Sequence, residues 1–166
     1  MKKILLSVIT AALVCGLCGC NSSSGSSSGS TSDTSTSSVS QTTLSAKEKT
    51  EKLLGEVEFP SMVEIDAQKL EFWFGTTEDE VEEYSVYICA SGAKPDEFGI
   101  LTAKDAETAA KIKEAIEKRI ETQRNTFTDY TPKEMYKFDD CFANVNGKTV
   151  YYAICADNEK AAEILK

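Results

Sequence analysis

The sequence predicts an α+β domain: a four-stranded antiparallel sheet made of two hairpins, with one long helix and a C-terminal helix packed on it, in the order β-β-α-β-β-α. Three observations carry this reading. Asn146-Gly147 lies between Cys141–Val145 and Thr149–Cys155, two runs rich in β-branched and aromatic residues, and that dipeptide is the strongest short-range hairpin signal. Tyr84–Ala90 and Phe98–Ala103 form a second such pair, with Gly92 and Lys94-Pro95-Asp96 supplying turn chemistry between them. Between the hairpins Ala109, Ile112, Ile116, Ile120 and Phe127 recur at helical spacing behind a capping residue, Asp105.

In chain order, Lys2 and Lys3 open a run from Ile4 to Leu17 that is apolar apart from Ser7, Thr10, Cys15 and Gly16. This is the build of a secretory signal. It ends in Leu17-Cys18-Gly19-Cys20, an aliphatic residue and two small ones before a cysteine, which reads as a lipobox with Cys20 as the acylated residue. The run is shorter than the ~20 apolar residues of a bilayer span. A metal site at Cys15, Cys18 and Cys20 is disfavoured because two of those thiols lie in the segment to be removed. Two fatty chains on Cys20 suffice for stable anchoring where one is marginal.

Residues 1–19 are thus a signal peptide and residues 20–43 a tether, almost wholly Ser, Thr and Gly, with Asp33 its one charge and Val39 its one aliphatic residue. Such a composition builds no core; it predicts a flexible, disordered coil with ends roughly 25 Å apart. Residues 44–166 are long enough for one domain and short for two. The signal contains two of the 18 basic residues and none of the 27 acidic ones, so the mature chain holds 16 against 27, a net charge of −11. Nucleic acid is therefore excluded as a partner, and anionic head groups are poor ones.

Within the domain, Ser45 and Glu48 form a capping box for a short helix through Leu53 and Leu54 that Gly55 is placed to end. Asp66 caps a second helix with Leu70, Trp73 and Phe74, stopped by Gly75. The long helix carries Glu107 with Lys111 and Glu114 with Lys118 on its outer face, pairs four residues apart that suit solvent. Thr131-Pro132-Lys133-Glu134 predicts one further helical turn with a capping-box glutamate, and Asp157 caps a last helix with Ala161, Ala162, Ile164 and Leu165.

This order of elements, with Phe59-Pro-Ser-Met-Val63, Tyr84-Ser-Val-Tyr87, Ser91-Gly-Ala-Lys-Pro-Asp-Glu97, Arg119 with Gln123, Tyr130-Thr-Pro132 and Asn146-Gly147, resembles an uncharacterised family. Its members are small lipoproteins of Gram-positive, largely clostridial, bacteria, catalogued as a domain of unknown function. The likeness covers most of the chain after the tether. It implies the architecture and the location, and it brings no catalytic or binding residues with it.

The chain has no histidine, which removes Ser-His-Asp and Cys-His catalysis. Ser91-Gly-Ala-Lys94 matches an S-x-x-K pattern, but its companion motifs are missing: Gly147-Lys-Thr149 runs in the wrong order and Ala156-Asp-Asn158 lacks its serine. A turn joining two strands is the better reading. Glu78–Glu83 lacks the D-x-D-x-D-G arrangement of a calcium loop and reads as a solvated acidic turn. Consecutive Phe72, Trp73 and Phe74 cannot all face one core.

Cys89, Cys141 and Cys155 each fall in a predicted strand. They are either buried free thiols acting as small hydrophobes or one disulfide with a spare thiol. A two-residue turn at Asn146-Gly147 would set residue 141 opposite 152 and send Cys141 and Cys155 to opposite faces, so a disulfide would include Cys89. We expect no cofactor, no metal and no enzymatic activity. The expected protein is a membrane-anchored extracytoplasmic lipoprotein whose domain binds an envelope protein; the alternative is a small ligand-binding or transport accessory lipoprotein. A two-lobed receptor cleft needs more chain than one such domain.

Overall fold

The computed structural model describes residues 44–166; the expected signal peptide, Cys20 and the expected tether lie outside the described residues. The elements are α1 (Ala46–Glu56), β1 (Met62–Glu64), α2 (Ala67–Phe74), β2 (Val81–Cys89), β3 (Glu97–Ala103), α3 (Ala106–Tyr130), β4 (Phe142–Asn146), β5 (Thr149–Ile154) and α4 (Asn158–Leu165). Short 3₁₀ segments at Glu78–Glu80 and Pro132–Phe138 precede β2 and β4.

The α+β class holds, but the sheet has five strands rather than four, in the order β1-β2-β3-β5-β4, with all neighbours antiparallel. The added strand, β1, pairs Met62, Val63 and Glu64 with Cys89, Ile88 and Tyr87. Three residues are too few to show alternation, so β1 had no periodic signature in the sequence.

Helices cover both faces. Val86, Leu101, Val150 and Tyr152 point to one side and pack with Leu70 and Phe74 of α2 and with Ala109, Ile112 and Ile116 of α3. Phe98, Ile100, Tyr151 and Ala153 point to the other and pack with Leu53 of α1 and with Ala161 and Leu165 of α4. Because β3 is central and covered twice, it reads as a continuous apolar run rather than an alternating one. Each of its large side chains contributes about 1.5–3 kcal/mol by leaving water. Gly99 sits where β2 presses on β3: a Cβ there would lie 2.6 Å from Val86 Cγ2 and 2.9 Å from the Ser85 carbonyl oxygen.

Local signals place the helix starts. Ser45 and Glu48 form their reciprocal box, and the side chains of Asp66, Asp105 and Asp157 accept from the amides of Lys69, Thr108 and Lys160. Gly75 ends α2 at φ 62°. Four expectations are corrected. α1 runs through Gly55 to a cap at Val57, because that glycine takes up ordinary helical geometry with nothing near it. On α3, Glu107 and Lys111 pair at 2.8 Å, but the second pair is Lys113 with Glu117, not Glu114 with Lys118. Pro132 opens the expected helical turn, as a 3₁₀ segment, but the capping box is not made: the Thr131 side chain caps nothing and Glu134 pairs with Lys137 instead of reaching back. The last hairpin turns on Gly147 and Lys148, with Asn146 opposite Thr149 and Ala143 opposite Tyr152, two residues out of the expected register. A two-residue slip preserves which face each side chain takes.

Candidate functional site

Lys94-Pro95-Asp96-Glu97 leads from the β2–β3 turn into β3, and it brings two consecutive carboxylates into the interior. Asp96 and Glu97 are each about 1 % exposed. Successive residues entering a strand point to opposite faces, so the two acids serve separate clusters.

Glu97 faces α3. Arg119 donates Nε to its Oε1 at 2.6 Å and Nη2 to its Oε2 at 2.7 Å, a two-pronged bond of the kind that suits a guanidinium fork. The Tyr152 hydroxyl donates to Oε1 at 2.8 Å and Gln123 Nε2 to Oε2 at 3.4 Å. The guanidinium carbon also lies 3.8 Å from the centre of the Trp73 ring, a cation–π contact. Burial works against the charge on Arg119, but the hydrogen bonds and charge of Glu97 outweigh it and hold the group above its ordinary value. Burial, with Glu97 alongside, keeps the Tyr152 phenol well above its ordinary value and hence neutral.

Asp96 accepts from Lys137 Nζ at 2.8 and 2.7 Å, and Glu134 pairs with the same ammonium at 2.8 Å. Burial lowers the proton affinity of Lys137, but these two carboxylates overcome it and the net direction is upward. Its bond to Lys137 draws Glu134 below the usual carboxylate range. The Lys137 carbonyl accepts from Asn158 Nδ2 at 2.8 Å, while Asn158 Oδ1 accepts from the Cys155 amide at 3.0 Å. The cluster is thereby tied to the first residue of α4.

The three cysteines of the domain are free and occupy separate surroundings. Cys89 ends β2, whereas Cys141 and Cys155 lie just before β4 and just after β5 rather than within strands. Burial pushes the Cys155 thiol up to about 11. Burial also raises Cys141, against the pull of Arg124, whose Nη2 is 3.7 Å from its sulfur. Burial opposes ionisation at Cys89 as well, but the Ser91 hydroxyl and the amides of Ser91, Gly92 and Lys94 overcome it and lower that thiol.

Ser91 is exposed in the β2–β3 turn, its hydroxyl 3.3 Å from Cys89 Sγ and accepting from the Ala93 amide at 3.3 Å. No hydrogen bond joins it to Lys94 among the described residues. The acidic run Glu78–Glu83 is used piecemeal: Glu78 accepts from the Tyr84 hydroxyl, Glu80 from the Thr77 amide and Glu83 from the Ala46 amide, while Glu82 pairs with Lys148. Of the three aromatics in α2, Phe74 is core, Trp73 lies under Arg119 and Phe72 is 84 % exposed. Among the described residues, no three or more acidic or cysteine side chains are placed to share a metal ion.

Sequence reasoning misses both buried clusters as ion pairs. The signals were there: two acids abutting the apolar run of β3, and Arg119 and Gln123 four apart beside the apolar stripe of α3. A recess of about 720 Å³ lies beside β4, between the end of the 3₁₀ segment and the start of α4; Tyr136, Phe142, Asp139, Asp140, Asp157 and Glu159 are among its lining residues.

With this geometry in view, a family model, "Domain of unknown function (DUF4358)", matches residues 55–155. The chain belongs to the DUF4358 family. The matched segment holds all five strands, both ion clusters and the three cysteines, and it stops before α4. No curated protein and no solved structure matches the chain.

Proposed function

We propose that this DUF4358 protein is a lipoprotein anchored through Cys20 on the extracytoplasmic face of the cell membrane, where its domain serves as a non-enzymatic interaction module. The observation that carries the reading is the closure of its interior charges. Arg119, Glu97 and Tyr152 satisfy one another, as do Lys137, Asp96 and Glu134, so each of these charges already has its partner within the fold, which supports a structural role over that of an acid, base or nucleophile. The lipobox, the Ser/Thr/Gly tether and the likeness to small lipoproteins of Gram-positive, clostridial-type bacteria support the location. Envelope proteins are the partner class.

Cross-linking on intact cells tests this. A defined neighbour should be captured by the wild-type protein and lost with Cys20→Ala, which also moves the protein from the membrane to the soluble fraction. Random labelling, or a mature N-terminus without acyl chains by mass spectrometry, overturns the reading.

A second reading, a small ligand-binding or transport accessory lipoprotein, is favoured by the recess of about 720 Å³, within the roughly 300–1,000 Å³ range of ligand pockets. Native mass spectrometry of protein purified from its host separates the two. A stoichiometric bound small molecule favours the ligand reading.

A further inference from the structure

Strand β4 is one of the two ends of the sheet. Asn146 and Thr149 flank the two-residue turn and pair across it. Bonding alternates along an antiparallel pair, so Ala143 and Val145 direct their N–H and C=O groups away from β5. Asn144, Val145 and Asn146 are exposed, Val145 by 45 %.

Sheet edges are usually guarded by charge, proline, a bulge or extreme shortness. Phe142-Ala-Asn-Val-Asn146 has no charged residue and no proline, and its register with β5 is unbroken. The opposite edge, β1, is only three residues long.

Beside β4 lies the recess of about 720 Å³. Phe142 and Asn144 belong to its wall, and both point to the α1/α4 face because their partners Ala153 and Tyr151 do. Asp139, Asp140, Asp157 and Glu159 line it without a lysine or arginine among the lining residues. None of the four forms an ion pair with another described residue.

We propose that the β4 edge is a docking site for an extended, basic segment of a partner protein, which adds a sixth strand and sends alternate lysine or arginine side chains toward the acidic recess. This rests on the interaction reading above and adds the surface and the partner's chemistry. Strand addition takes its affinity from main-chain bonds and its selectivity from alternate side chains. Charge decides the occupant. A second copy pairing edge to edge would bring two sets of these carboxylates together, whereas a basic strand neutralises them.

The test uses the full chain in detergent micelles and a short fluorescent peptide of alternating lysine and valine, with glutamate replacing lysine in the control. The lysine peptide should raise anisotropy and the glutamate peptide should not. Val145→Pro, which removes an outward N–H, and separately the set Asp139→Asn, Asp140→Asn and Glu159→Gln should each weaken binding by about tenfold or more. If the proline variant is unfolded by circular dichroism, the recess set decides alone.

Absence of binding by the lysine peptide, or binding unchanged by the folded variants, overturns the proposal. So does self-association of the wild type that Val145→Pro abolishes, because the edge then belongs to a second copy. A photo-cross-linking residue at position 145 or at 72, in cells, separates this from the broader reading. Adducts from 72 alone remove the β4 edge and leave the interaction module standing; adducts from neither position remove both.

Discussion

Asp96 and Glu97 are adjacent, equally buried and of the same charge, yet the domain neutralises them by different means. Glu97 meets a guanidinium that fits both its oxygens and is itself stacked on Trp73. Asp96 meets a lysine, a point charge without fork geometry, and that lysine must also serve Glu134. The first cluster pins α3 to the sheet by geometry. The second balances one cation against two anions and leans on a glutamate with some access to water.

Removing one member of each cluster should expose that contrast. Glu97→Ala leaves Arg119 unpaired and the Tyr152 hydroxyl without its acceptor, and should cost about 3–5 kcal/mol by denaturant unfolding. Lys137→Met should cost somewhat less, about 3 kcal/mol, because Glu134 can turn toward solvent while Asp96 cannot. Equal losses would mean that Glu134 is as confined as Glu97. Arg119→Lys keeps the charge and loses the fork, and about 1–2 kcal/mol should follow. Tyr152→Phe removes one of several bonds to Glu97 and should cost about 1 kcal/mol.

The pH dependence sharpens the comparison further. Glu134 is depressed in the folded state, so its contribution is complete above its ordinary value of 4.5 and is lost as pH falls through the folded value. Lys137 and Tyr152 are raised, so theirs are complete below 10.5 and 10.0 respectively and decline as pH climbs toward the folded values. Lys137→Met should therefore flatten both limbs of the stability profile, whereas Tyr152→Phe should flatten only the alkaline one. Unfolding midpoints measured across pH decide it.

Much of the architecture was legible because it rests on local chemistry. Ser45, Asp66, Asp105 and Asp157 mark helix starts by capping, and the stripe from Ala109 to Phe127 has a helical period that nothing else explains. Asn146-Gly147 located a hairpin but not its register, since Gly147 can serve as either central residue and the choice falls to cross-strand packing of Ala143 on Tyr152. Gly55 failed as a stop signal because a glycine ends a helix only when the chain must turn there. The ion clusters were hidden because their partners are far apart in sequence: Glu97 with Arg119 and Tyr152, Asp96 with Lys137. An exposed carboxylate and a buried one look alike until the tertiary fold assigns a neighbour. Thr131 shows the converse, a residue whose capping pattern is complete in sequence while its hydroxyl is buried without a partner.

The two helices that seal one face of the sheet, α1 and α4, are the first and last elements described, and Lys49 bonds the carbonyls of Leu165 and Lys166 at 3.3 and 2.5 Å. Biogenesis inherits a constraint from this. Until α4 has been made, α1 alone covers that face, and Tyr151 and Ala153 of β5 lack the packing that Ala161 and Leu165 bring. A nascent molecule that stalls after Cys155 would present a half-covered oily sheet to any protease it meets.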